Sequence, residues 1–204
     1  IIKAGVPLVV GRQEKEAFDA IIETAAKRGA PVLCLDRDYS LSGVTPDGFS
    51  VETPAGRYDR LKLPLLGAHQ RYNAAMAVTM AEIAASAMAL SLAPEAVRAA
   101  LANLSWPGRV EVWSEDPPIV IDAAHNAASA QALVEALAEK WPGRKAVVVF
   151  AIAQHKDSEG VVEALARVAR EFIVTTIASP RSSPVEDLAA GVRAKTNLPV
   201  RVVP

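Results

Sequence analysis

Two textures alternate along the chain: short runs of β-branched and aliphatic residues, and longer alanine-rich stretches with polar residues at helical spacing. That alternation is the pattern of an α/β protein with parallel strands. Residues 6–10 and 31–35 read as strands, with a helix over 14–28 between them, closed by Gly29. Over 39–63 the texture changes. Asp47-Gly48 and Ala55-Gly56 punctuate alternating segments there, which predicts antiparallel hairpins. A long helix from about 68 to 90 follows, then a shorter one with Pro94 in its first turn. At Ser105-Trp106-Pro107-Gly108 the chain turns sharply and a second series begins. Its strands are expected over 109–113, 119–122, 145–152, 172–176 and 198–203, and its helices over 127–140, 158–169 and 184–195. Helices join the last three strands, so a right-handed parallel sheet is expected. The domain boundary falls near residue 105, dividing the chain into 1–104 and 105–204.

Composition narrows the function classes. The 204 residues carry 22 Lys and Arg against 23 Asp and Glu, a net charge of −1. A surface that tracks nucleic-acid phosphates would need a basic excess, so no nucleic-acid partner is expected. The single cysteine, Cys34, excludes an intramolecular disulfide framework and fits a reducing, cytoplasmic compartment. Lying inside an apolar strand, it reads as inert core. The apolar runs, such as 84–91, are too short and too rich in Ala and Ser to span a bilayer, and no signal peptide is evident, so no membrane partner is expected. The chain opens at Ile1 without methionine, and it closes on a strand-like Val200-Arg201-Val202-Val203-Pro204 with nothing to cover it. Both ends are those expected of a piece of a longer protein.

Five segments could carry chemistry. Ligands of open α/β sheets bind at the carboxyl ends of strands. There, Ile119-Val120-Ile121, expected to be a buried strand, runs into Asp122-Ala123-Ala124-His125-Asn126. Asp122 could accept hydrogen bonds from ribose hydroxyls, the two alanines permit close approach of a ligand, and His125 opens a helix whose free amides favour an anion. Equally, Asn126 could simply cap that helix and Asp122 simply end a strand. In Gly67-Ala68-His69-Gln70-Arg71-Tyr72-Asn73-Ala74, His69 and Asn73 share a helix face. Asn73 precedes the most apolar part of the helix, where a buried amide needs partners, and an amide that both donates and accepts suits an adenine edge. The plainer account is a polar first turn. Arg109, after Trp106-Pro107-Gly108, could fork onto a phosphate or a carboxylate, or form an ordinary ion pair. Lys156, in Gln154-His155-Lys156-Asp157, is a candidate anion contact, and Arg181 in Ser179-Pro180-Arg181-Ser182-Ser183 a candidate for a substrate carboxylate. There is no G-x-x-x-x-G-K-[ST] loop, no G-x-G-x-x-G, no G-x-S-x-G elbow and no Cys/His cluster, so no metal ligand is assigned.

Taken in order, Ile1-Ile2-Lys3-Ala4-Gly5-Val6-Pro7, Gly67-Ala68-His69-Gln70-Arg71-Tyr72-Asn73-Ala74, Trp106-Pro107-Gly108-Arg109 and Asp122-Ala123-Ala124-His125-Asn126 resemble the folylpolyglutamate synthase / dihydrofolate synthase family of the Mur ligase superfamily. Lys156-Asp157 and Pro180-Arg181 follow as weaker matches. The resemblance covers essentially the whole chain. It implies the end of a P-loop-type central ATPase domain over 1–104, followed by a Rossmann-like C-terminal ligase domain over 105–204, cut short at its end. It also implies a reaction. Magnesium-ATP phosphorylates a folate or dihydropteroate carboxylate, L-glutamate attacks the acyl phosphate, and an amide forms with release of ADP and phosphate. On this resemblance Asn73 lies near the adenine, Arg109 near the phosphates and Asp122 on the ribose. His125 lies by the nucleotide or the incoming glutamate in a catalytic and substrate-binding role, and Arg181 contacts substrate. Ala123 and Ala127 stand where many members carry glycine and proline, and His155 where an acidic residue is common. The family's phosphate loop and magnesium ligands precede Ile1, so this chain alone is expected to be inactive and the enzyme monomeric. Two alternatives stay open: a sister ligase that joins other amino acids, and a non-catalytic nucleotide-binding module.

Overall fold

The computed structural model describes all residues, Ile1–Pro204. They form two compact units, residues 1–65 with 69–105, and residues 66–68 with 106–204.

The first unit opens with β1 (Leu8–Val10), α1 (Lys15–Lys27) and β2 (Val32–Cys34), and the two strands pair in parallel with Val9 opposite Leu33. Helix α1 stops at Arg28, where Gly29 at φ +57° supplies the left-handed turn that returns the chain to β2. The punctuated stretch then forms an antiparallel meander of β3 (Ser40–Thr45), β4 (Gly48–Thr53) and β5 (Gly56–Leu61). Two helices follow, α2 (Ala68–Ala87) and α3 (Pro94–Ala102), with Pro94 at the helix start.

Helix α2 ends earlier than the apolar pattern predicts. Ala89 takes a left-handed φ of +55°, and Leu90 N–H returns to the Ala85 carbonyl at 2.8 Å, so residues 88–90 form the terminating turn. The buried face of α2 carries Gln70, Ala74, Ala75, Val78, Thr79, Glu82 and Ala85, the spacing of one helical stripe. Its small residues let the meander approach closely, and Tyr39, Phe49, Val51, Tyr58 and Leu61 share one core with Ala74, Ala75 and Val78 of α2 and Val97 and Leu101 of α3.

Three hydroxyls inside this core are paired, as burial requires. Tyr58 OH donates to Glu82 Oε1 at 2.7 Å, Tyr39 OH donates to the Val10 carbonyl at 2.9 Å, and Thr79 Oγ1 donates to the Ala75 carbonyl at 2.9 Å. Burial is the main reason both phenols are pushed up to about 12; the Glu82 carboxylate adds to the effect at Tyr58, and Cys34 and Asp36 add to it at Tyr39.

The second unit opens with a separate hairpin, β6 (Glu111–Glu115) antiparallel to β7 (Pro118–Ile121). Val112 lies opposite Val120, while Ile119 and Ile121 point to an exposed face, so the strand leading into Asp122 is half-exposed rather than buried. A three-stranded parallel sheet follows in the order β10 (Val200–Val202), β9 (Ala169–Val174), β8 (Ala146–Phe150). Helices α4 (Ala127–Lys140), α5 (Ser158–Ala166) and α6 (Val185–Lys195) alternate with these strands. Strand β9 begins three residues sooner than its apolar run suggests. A tight turn at Arg167–Val168 ends α5 early and lets Ala169, buried, pair with Ala146. The core gathers Phe150, Phe172 and Val174 of the sheet with Val134, Val161, Leu165, Leu188 and Val192 of the helices. Phe150 and Phe172 meet edge to face, their ring centres 6.5 Å apart.

Candidate functional site

In the second unit the chain just past β7 and the turn just before β6 are bonded to each other. Asp122, half-buried at the end of β7, uses both carboxylate oxygens on backbone amides: Val110 N–H donates to Oδ2 at 2.8 Å and Ala124 N–H donates to Oδ1 at 2.8 Å. Ala123 N–H donates to the Gly108 carbonyl at 3.1 Å, and Gly108 N–H donates to Glu111 Oε2 at 2.8 Å. Two sequence-predicted positions, Arg109 and Asp122, are therefore brought into one local structure. Arg109 stands between two left-handed residues, Gly108 at φ +71° and Val110 at φ +46°. Its guanidinium is exposed and has no hydrogen-bond or ion-pair partner in the chain, so it remains available to an anion.

His125 follows two residues after Ala123 and joins the same group. Its Nδ1 lies 3.0 Å from the Ala123 carbonyl, which can only accept, so Nδ1 carries a proton and the exposed imidazole leaves Nε2 for a ligand. Asn126 is the N-cap of α4: its Oδ1 accepts from Ser129 N–H at 2.8 Å, and Ser129 Oγ accepts from Asn126 N–H at 3.2 Å. The capping account of Asn126 is thus correct. Ser129, which the sequence reading passed over, does more than close the capping box, because its Oγ also accepts from His125 N–H at 3.1 Å and fixes the backbone that carries the imidazole. The Asn-x-x-Ser spacing just before an apolar run was the signal for it.

The loops after β8 and β9 are also joined. Gln154 N–H donates to the Arg181 carbonyl at 2.8 Å, Gln154 Nε2 donates to the Ser182 carbonyl at 3.0 Å, and Ser183 N–H donates to the Ile152 carbonyl at 3.1 Å. Gln154, which the sequence places in the polar cluster before α5 without assigning it a role, is the residue that joins these two loops. The side chains of Lys156 and Arg181 are exposed and unpaired, each on a loop at the carboxyl end of a parallel strand. Asp157 caps α5 by accepting from Gly160 N–H at 2.9 Å, and a Cβ on Gly160 would lie 2.8 Å from the Ala127 Cβ, so the starts of α4 and α5 are in close contact. The loops after β8 and β9, which carry Lys156 and Arg181, are thus bonded to each other, and α5 starts against the start of α4, the helix that follows His125.

Asn73 lies in the first unit, on α2, in the polar first turn that the plainer account of the sequence describes. Asn73 is exposed, and the buried amide is Gln70, only 7% exposed. Gln70 stands four residues before Ala74 and so belongs to the buried stripe, whereas Asn73 falls on the neighbouring stripe. Asn73 Nδ2 donates to Gln70 Oε1 at 3.2 Å, and Gln70 Nε2 lies 3.0 Å from His69 Nε2. Asn73 Oδ1 and its second N–H stay free for a ligand that offers one donor and one acceptor. Next to it, Tyr72 lies beneath the Arg12 guanidinium, 4.1 Å from ring centre to Cζ. No group of three or more His, Cys, Asp or Glu side chains that could hold a metal ion is present. No helix is long and apolar enough to cross a membrane.

Residues 108–204 match the family model for the glutamate ligase domain of Mur ligases. Beyond that domain, the chain is 30% identical over 192 residues to dihydrofolate synthase/folylpolyglutamate synthase of Bacillus subtilis, an alignment covering 92% of this chain and 45% of that protein. Among solved structures, folylpolyglutamate synthase of Mycobacterium tuberculosis complexed with ADP and AMPPCP superposes with a TM-score of 0.88 at 31% identity, over 97% of this chain and 45% of that one. The bifunctional folylpolyglutamate synthase/dihydrofolate synthase of Yersinia pestis, complexed with AMPPNP and manganese, superposes with a TM-score of 0.80 at 25% identity, over 99% and 45%. The chain spans about half the length of the curated relatives it matches. Its second unit carries an α/β domain of the Mur ligase type. The chain belongs to the folylpolyglutamate synthase / dihydrofolate synthase family, whose members are ATP-dependent ligases.

Proposed function

We propose that the full-length gene product containing this chain joins L-glutamate to a folate or dihydropteroate carboxylate at the expense of ATP. Residues 1–104 form the end of its central ATP-binding domain, and 105–204 most of a Rossmann-like C-terminal domain. The observation that carries the proposal is the single hydrogen-bonded structure made by the Arg109 turn and the Asp122–His125 segment, in a chain whose likeness to such synthases runs along more than nine-tenths of its length.

Each assigned side chain has a role its chemistry can perform. The unpaired Arg109 guanidinium suits the phosphates of ATP, where fixed positive charge stabilises a transferring phosphoryl group. Asp122 spends one lone pair on each oxygen on an amide and keeps others for ribose hydroxyls. The free amide edge of Asn73 suits adenine. His125, with Nε2 open to solvent, binds the nucleotide or the incoming glutamate, and Arg181 binds a substrate carboxylate. The substrate carboxylate takes a phosphoryl group from ATP. The glutamate amine then attacks the acyl carbon and expels phosphate, and the amide is formed. Magnesium would neutralise the triphosphate. The residues present do not make a metal site, so no step runs through this chain as a metal holder. The assembly works as a monomer in the cytoplasm with small-molecule substrates alone.

The test is ADP release by the full-length gene product with Mg-ATP and L-glutamate, adding dihydropteroate, tetrahydrofolate or a muramyl precursor in turn. Release that depends on a pterin and on glutamate is the expected result. Release with the muramyl compound alone moves the enzyme to a sister branch, and no release with any of them leaves a nucleotide-binding module. The purified 204-residue chain, which has no glycine-rich Lys-Ser/Thr phosphate loop, is expected to release no ADP under the same conditions.

A further inference from the structure

The turn that carries Arg109 is strained, and the restraint comes from elsewhere in the chain. Val110 is a β-branched residue, 3% exposed, at φ +46°. In that region Cβ crowds the backbone, and for a side chain of this shape the conformation is a true outlier. Such a residue persists only where its surroundings over-determine it. Here the restraints are specific. Val110 N–H is held by Asp122 Oδ2, the Gly108 carbonyl by Ala123 N–H, and Gly108 N–H by Glu111 Oε2. Between these fixed points Arg109 has no side-chain partner, so the backbone alone sets the direction in which its guanidinium leaves the chain.

We infer that Asp122 is a positioning residue for Arg109: its carboxylate holds Val110 in the left-handed conformation and thereby aims the guanidinium. Because Oδ1 of the same carboxylate holds Ala124 N–H, one side chain keeps the Arg109 turn and the segment leading to His125 in a single register. The functional consequence rests on the phosphate role proposed for Arg109. The restraint on Val110 does not.

A double-mutant cycle in the full-length gene product separates this role from a simple ribose contact. Asp122→Ala and Arg109→Ala are each expected to lower kcat/KM for ATP about tenfold or more, and the double variant is expected to lose severalfold less than the product of the two losses. Losses that multiply to about a hundredfold or more would overturn the inference. With 2′-deoxy-ATP and 3′-deoxy-ATP, which remove the ribose contact proposed above, the Asp122→Ala loss is expected to shrink but to remain severalfold. A loss that vanishes with either analogue assigns Asp122 to the ribose and removes the positioning role. A second readout needs no turnover. Amide hydrogen exchange at Val110 is expected to be slow in the wild type and about tenfold faster in Asp122→Ala, which removes both acceptors, with the strands of the second unit unchanged. Unchanged exchange at Val110 rejects the restraint whatever the protein catalyses. Faster exchange in the variant of a protein whose wild type ligates nothing upholds the restraint and rejects the proposed function instead.

Discussion

At the scale of single residues, side chains that donate to a backbone carbonyl or accept from a backbone amide hold much of this structure together. Tyr39 shows what one of them contributes. Its hydroxyl shares the Val10 carbonyl with Leu35 N–H, where β1 meets the start of the meander. Tyr39→Phe is expected to lower stability at neutral pH by about 1 kcal/mol, the usual net worth of one hydrogen bond. The pH dependence should change as well. Tyr39 holds its proton to about 12 in the folded chain, against about 10 in the unfolded one. Its contribution is therefore complete below pH 10 and is lost as pH rises through 12, when the unfolded chain ionises and the folded one does not. Denaturant unfolding of the wild type between pH 10 and 12 is expected to weaken more steeply than that of Tyr39→Phe. Equal slopes would show that the phenol is not held neutral by burial. The same scale exposes a limit of the sequence reading. Composition places an amide near the core side of α2, but only helical phase decides between Gln70 and Asn73, and Gln70 takes the buried position.

Elements of secondary structure were largely legible, and their ends were not. Punctuation by Asp47-Gly48 and Ala55-Gly56 marked the meander, and all three later helices lie where alanine-rich stretches put them. The misjudged ends, at Ala87 of α2 and at the junction of α5 with β9, share a cause. Apolar pattern continues through both places, while the backbone leaves the element through a tight turn. The paired starts of α4 and α5 are where an element-scale prediction bears on the site. Asn126→Ala removes a cap and is expected to cost about 1 kcal/mol. Gly160→Ala forces a methyl group against Ala127 and the Asp157 carboxylate and is expected to cost more, about 1–3 kcal/mol. Urea unfolding of the two variants checks the order. A Gly160→Ala protein as stable as wild type would count against so close an approach of the two helix starts.

On the scale of the whole chain, the alternation of strands and helices disclosed an α/β architecture, and the last three strands do form a parallel sheet. What the pattern could not disclose was which strands pair. The β6–β7 hairpin stands as its own two-stranded sheet, a matter of tertiary geometry with no local signature, and it leaves Ile119 and Ile121 facing outward. Likewise, the bonds that tie Arg109 to Asp122 join residues a dozen positions apart, so both candidates were visible while their mutual support was not. The two kinds of sheet also differ in the length of chain that each pairing must close. In the meander Thr53 faces Gly56 across a short turn, whereas in the parallel sheet Val148 must wait for Phe172, with α5 lying between them. Closing the longer loop costs more chain entropy before any contact repays it, so local pairings form faster. Refolding followed by pulsed hydrogen exchange is therefore expected to protect the amides of β4 and β5 before those of β8 and β9. The β6–β7 hairpin that brings Arg109 to Asp122 is as local as the meander, whereas the loops bearing Lys156 and Arg181 wait for the parallel sheet. A slow step of folding would then set when the last of the candidate residues take their places.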